Sequence, residues 1–175
     1  MKRLMIFVAV AILGVVANAA TVKWQVTNIQ GSPDASVASG WVVEIYSATV
    51  AYDYAKAAAG EISSVFSGSA VENNSTFRAT GTVADGQANG TTESYYMVIY
   101  DASTIADAKN YIISGIKDLQ TNAAGSDATL SFGSMKGTTS ANMFLNSSWQ
   151  AVPEPTSGLL MLVGLAGLAL RRKRS

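Results

Sequence analysis

The side chains that can do chemistry here are carboxylates, hydroxyls and phenols, because the sequence contains neither cysteine nor histidine. Their absence removes cysteine and Ser/His/Asp nucleophile systems and the usual ligands of zinc and copper. Asp53, Asp101 and Asp107 are the acids that could pair, as glycoside hydrolysis requires of two carboxylates. Yet Asp101 directly follows an apolar run, where Asp commonly opens a turn or caps a helix, and Asp107 sits with Lys109 in a short polar stretch. Structural use is therefore the expectation, and no enzyme activity is assigned. Calcium needs only oxygen ligands, but no Asp-x-Asp-x-Asp-Gly loop is present, so no metal and no cofactor are expected. Tyr95, Tyr96 and Tyr100 share one strand-like run. Alternation along a strand leaves Tyr96 and Tyr100 on one face, as candidates to stack on a sugar. Core packing and ordinary β-propensity account for the same residues. Asn73, Asn74, Asn89 and Asn146 each open an Asn-x-Ser/Thr triplet, which a Ser/Thr-rich chain produces by chance. The remaining chemistry is chemistry done to the chain. In Val152-Pro153-Glu154-Pro155 two prolines hold the backbone extended, which is what a processing enzyme needs.

The elements that position these residues read mainly as strands. Residues 22–27 place Val22, Trp24 and Val26 on one face, and residues 41–46 do the same with Trp41, Val43 and Ile45. Residues 94–100 are apolar on both faces, as in a central strand. Residues 77–83, 111–113 and 128–132 are further strand candidates. Turn signals separate them at 31–34, 85–86, 89–90 and 125–127. Residues 51–59 read as a helix stopped by Gly60, and residues 103–109 as a short helical turn capped by Ser103. Trp149 is expected to pack the last strand against the core. The fold class is mainly β: an antiparallel sandwich or partly open barrel with one or two short helices, flanked by an N-terminal signal peptide and a C-terminal transmembrane helix. No internal repeat of 20–50 residues is evident.

The ends differ from the middle in composition. Residues 1–19 combine a basic start (Lys2, Arg3), an apolar run over 4–16, and Ala17-Asn18-Ala19 with small residues at −3 and −1. This reads as a signal peptide for the Sec export machinery, cut by signal peptidase between Ala19 and Ala20. The tail carries an apolar run over 158–170 and then Arg171, Arg172, Lys173 and Arg174. A thirteen-residue helix spans roughly 20 Å, short of the ~30 Å bilayer core. Thr156 and Ser157 extend it, and the arginines can snorkel. The basic cluster should stay cytoplasmic, which places the domain between the ends on the other side of the membrane. That domain, residues 20–151, holds six basic and eleven acidic residues, a net charge of −5. Nucleic acid is not expected as a partner, since phosphate binding needs a basic face. Without disulfides, the domain's stability must come from packing.

Val152-Pro153-Glu154-Pro155, the apolar run and the basic cluster follow one another in the order of a PEP-CTERM sorting signal, which residues 152–175 resemble. A sortase-type wall signal would show Leu-Pro-x-Thr-Gly, and this tail does not. The resemblance implies a Gram-negative-type bacterium and recognition by an exosortase, a membrane-embedded cysteine transpeptidase-like enzyme. Cleavage would fall near Pro153-Glu154-Pro155, with delivery to the cell surface or extracellular matrix. The chain would be the substrate. A permanent single-span anchor is the competing reading of the tail. For the whole protein the first expectation is a non-enzymatic surface or matrix component. The alternatives are a carbohydrate-binding module engaging exopolysaccharide, and a carboxylate hydrolase.

Overall fold

The computed structural model describes residues 21–36, 38–74, 76–84, 91–120 and 127–153. The expected signal peptide, with Ala17, Ala19 and Ala20, lies outside them, as does the tail from Glu154 onward. Among the described residues no helix is long and apolar enough to cross a membrane.

Among the described residues ten strands and one helix follow in the order β1 (Thr21–Thr27), β2 (Val42–Ser47), α1 (Tyr54–Ala58), β3 (Phe66–Ser69), β4 (Val71–Asn73), β5 (Thr76–Ala84), β6 (Thr92–Tyr100), β7 (Asn110–Ile113), β8 (Lys117–Gln120), β9 (Ala128–Ser134) and β10 (Gln150–Ala151). They form two sheets. One runs β4-β5-β1-β9, and the other β10-β7-β6-β2-β3 with β8 also on β6. The mainly β expectation holds, and the sheets are open rather than closed into a barrel. The chain changes sheet at Ala70, between β3 and β4, where it is held to Trp41 and Gly40 by backbone bonds of 2.8 Å each. A strand that switches sheets is a usual way to make such a corner. On the opposite side β8 lies against β9, and no ladder joins them among the described residues.

Period-2 patterning builds the space between the sheets. Val22, Trp24 and Val26 face inward from β1, Val43 and Ile45 from β2, Met97 and Ile99 from β6, and Leu130 and Phe132 from β9. The Trp24 ring fills the corner because two neighbours lack side chains. A Cβ on Gly68 would stand 2.7 Å from the ring, and one on Gly81 would overlap its Nε1. The indole N–H is buried with no hydrogen-bond partner among the described residues. Trp149 closes the core edge-on against Trp41, with centroids 5.5 Å apart, as expected.

Three expectations need correction. The sandwich is not wholly antiparallel: β9 runs parallel to β1. A parallel neighbour requires a crossover rather than a hairpin, and the chain between β1 and β9 supplies one by passing through the other sheet. The helix expected over 51–59 is confined to Tyr54–Ala58, because Asp53 accepts from the Lys56 amide at 3.1 Å and so caps it, and Gly60 ends it at φ +73°. No helix forms over 103–109. There the Thr104 hydroxyl accepts from the Asp107 amide at 3.2 Å and donates to its carboxylate at 2.6 Å, a local bond pattern that competes with helix.

Strands β7 and β8 are two halves of one edge on β6, separated by an irregularity at Ser114. The Ser114 hydroxyl accepts from the Met97 amide at 2.8 Å, standing in for the missing ladder carbonyl. The Ser114 amide donates to Met97 O at 2.9 Å.

Candidate processing site

The described chain leaves the fold through β10, a two-residue strand at the edge of the larger sheet. Gln150 pairs with Tyr111 and Ala151 with Asn110. The Val152 amide then donates to Lys109 O at 2.8 Å, and the Tyr111 hydroxyl donates to Gln150 Oε1 at 3.0 Å. Val152 is half-buried and Pro153 exposed.

The strand that receives β10 is itself clamped. One oxygen of Asp101 accepts from the amides of Lys109 (2.9 Å) and Asn110 (2.8 Å). The other accepts from Asn110 Nδ2 (2.8 Å) and the Ser32 hydroxyl (2.9 Å). Asn110 Nδ2 carries two hydrogens and also donates to Asp34 at 2.7 Å, so its buried amide serves both carboxylates. Burial raises the Asp101 carboxyl, but the hydrogen bonds from Asn110, Ser32 and Lys109 outweigh it and hold it below its ordinary value.

Val152 packs on a layer of phenols that covers the outer face of the larger sheet. Tyr46, Tyr96 and Tyr100 rise from β2 and β6, while Tyr52 and Tyr54 come from α1 and the residues before it. Tyr111 of β7 stacks on Tyr54, with centroids 5.7 Å apart, and leans on Tyr52 at 5.2 Å. The Tyr100 hydroxyl receives that of Tyr52 at 3.1 Å and meets that of Tyr46 at 3.2 Å. Tyr46 donates in turn to Glu44. Tyr96 and Tyr54 reach the carbonyls of Val50 (2.9 Å) and Ile105 (2.7 Å). Burial pushes the hydroxyls of Tyr46, Tyr52, Tyr54, Tyr96, Tyr100 and Tyr111 above the ordinary phenol value, so they stay protonated and act as donors.

This geometry corrects the reading of Tyr96 and Tyr100 as a sugar-stacking pair. They share a face, as alternation required, but Tyr96 is 7% exposed and Tyr100 fully buried. Helix α1 and the 101–109 loop cover that face. The three candidate acids are engaged separately: Asp53 caps α1, Asp101 clamps the 109–110 backbone, and Asp107 closes a turn with Thr104. Among the described residues no three acids gather where they could hold a metal. Clefts open elsewhere. One of ≈ 490 Å³ is lined by Asn28, Gln30, Phe77 and Lys136, and one of ≈ 330 Å³ by Lys23, Gln25, Thr80 and Thr82. Neither includes a residue that the sequence singled out for binding or catalysis. Sequence reasoning missed Asn110, Tyr111 and Gln150 as the ties that hold the exit, and none of the three stands in a motif that would reveal it.

The stretch that begins where the chain leaves the sheet matches a known sorting motif. Residues 151–174 match the family model of the PEP-CTERM protein-sorting motif. The tail is a PEP-CTERM sorting signal. It marks an exported protein and implies an exosortase as processing partner. The match begins at Ala151, so the motif and the last described strand share a residue. The match does not extend over residues 20–150, and neither the curated proteins nor the solved structures contain a match to the chain. Glu154, Pro155, Arg171, Arg172, Lys173 and Arg174 fall within the matched residues and outside the described ones.

Proposed function

We propose that this chain is a non-enzymatic surface or matrix component, exported through a signal peptide cut after Ala19. In this reading it is held in the inner membrane by a helix over about residues 156–170, then released by an exosortase near Pro153-Glu154-Pro155. The observation that carries the reading is the junction: a folded β domain ends on an exposed Pro153 at the start of a sorting motif. The arrangement suits a passenger whose fold is complete before its tail is read. Asp53, Asp101 and Asp107, the acids a hydrolase would need, are each committed to a local structural bond, which supports a role without catalysis. Exopolysaccharide binding is not carried by Tyr96 and Tyr100, because their rings are covered.

The test compares the full chain with a chain ending at Val152, both expressed in the native host and followed by fractionation. The full chain should reach the surface or medium. The shortened chain should fold but remain between the membranes. Equal delivery of both to the surface would contradict the reading.

A further inference from the structure

We propose that Gln150–Val152 is a strap that the processing enzyme peels from β7, and that the strap's hold on the sheet sets how fast the tail is cut. The inference rests on the tail being processed as proposed above. Its starting point is a shortage of chain. Val152 still donates to the fold, and the motif's first proline is the next residue. The proposed membrane helix begins at about Thr156, so three residues (153–155) separate the docked chain from the membrane segment. Fully extended they span at most roughly 10 Å. Part of that is taken up by the polar layer of the bilayer, about 5–7 Å on each side.

An enzyme that cuts within this stretch must hold chain on both sides of the bond. Toward the C-terminus the membrane segment limits it. Toward the N-terminus the chain is paired into a sheet within one residue. The motif itself has little to offer a strand-binding cleft, since Pro153 and Pro155 have no N–H and Glu154 supplies the only donor among the three. The nearest further donors on its N-terminal side are the amides of Val152, Ala151 and Gln150, and that of Val152 is bonded to Lys109 O. Freeing the strap adds three residues, about 10 Å of reach, and a run of backbone donors. The partner surface it fits is therefore one that takes an extended chain by strand addition.

The strap's construction suits release. Among the described residues its one strand neighbour is β7, and it is held by two residue pairs, the Val152 bond, the Tyr111–Gln150 bond and the packing of Val152 on the tyrosine layer. Gln150 and Ala151 are exposed. Strand β7 keeps its own place without it, through β6 and through the Asp101 clamp. Such lightly held edge pieces open far more readily than the strands beneath them.

The test uses the full chain in its native host. Tyr111 and Gln150 are opposite partners, and the chain has no cysteine, so Tyr111→Cys with Gln150→Cys can form one intramolecular bridge and no other. Pulse-labelled protein is followed by mass for loss of the tail. The bridged chain should lose its tail at least about tenfold more slowly than either single variant, the effect of ~1.4 kcal/mol of added hold, and should recover on reduction. Cutting at the rate of the single variants would overturn the proposal. Tyr111→Phe keeps the ring and removes the tie to Gln150 without touching the motif. It should speed cutting by about fivefold, the worth of one neutral hydrogen bond. An unchanged or slower rate would overturn the proposal even if the bridge fails to close. If the wild-type tail is never removed, the processing reading falls and the strap with it, a result distinct from a bridge that closes without effect.

Discussion

On its inner face the six-stranded sheet offers Val43, Ile45, Met97, Ile99 and Ile112 to the four-stranded sheet; on its outer face it offers Tyr46, Tyr96, Val98, Tyr100 and Tyr111 to a helix and loops. The inner contact is between two surfaces that are both regular. Aliphatic and aromatic packing fills it, and among the described residues the Trp24 indole N–H has no hydrogen-bond partner there. The outer contact is between a regular surface and an irregular one, whose backbone groups a sheet cannot satisfy. Phenols answer that need: each ring buries area, and each hydroxyl reaches a carbonyl, another phenol or a carboxylate. One face therefore sets stability, and the other holds the pieces through which the chain exits.

Substitutions on the two faces should differ in cost. The largest effect belongs to the inner face. Phe132 is fully buried, and Phe132→Ala should cost about 4 kcal/mol in denaturant unfolding of the domain. Next comes the corner. Gly81→Val sets a side chain into the Trp24 ring and should cost about 3 kcal/mol, whereas insertion of that side chain at exposed Thr82 should cost little. On the outer face Tyr100→Phe keeps the ring and removes a hydroxyl shared by Tyr46 and Tyr52. It should cost about 1 kcal/mol.

The two faces should also part with pH. Six phenols on or beside the outer face have folded pKa values above the unfolded value of about 10. Their contribution is intact below that value and is lost as pH rises through the folded pKa values. Asp101 is shifted the other way. Its contribution is present above the ordinary carboxylate value of about 4 and is lost as pH falls through its lower folded value. The clamp and the tyrosine layer should thus loosen at opposite ends of the pH scale. Phenolate absorbance together with exchange of the Asn110 amide would show it, and simultaneous loss of both at one pH would contradict it. The smallest effect is expected on the exposed side of the other sheet. There Lys23 and Asp127 form a 2.7 Å surface pair, and Lys23→Ala should leave the unfolding midpoint unchanged.

How much of this was legible in the sequence follows from how local each feature is. Strands β1, β2, β5, β6 and β9 carry a two-residue period or, for β6, apolar residues on both faces, and the sequence marks them all. Strands β3, β4, β8 and β10 are two to four residues long and mostly polar. They exist because a neighbouring edge accepts them, which no local pattern records. The alternation that put Tyr96 and Tyr100 on one face was right, but whether that face meets solvent or a helix depends on where α1 lands. The Asp101 clamp was legible only as a turn-forming aspartate; its partners lie up to 69 residues away. The sorting tail, by contrast, is a linear signal whose three parts are contiguous in the sequence.

As proposed, this domain is a passenger delivered by its tail. The most direct test is the intact mass of the protein from the native host, taken separately from membranes and medium. A species outside the inner membrane that starts at Ala20 and ends near Pro155 is expected. A species confined to the membrane, starting at Ala20 but still carrying Arg171, Arg172, Lys173 and Arg174, would contradict it and leave the tail a permanent anchor.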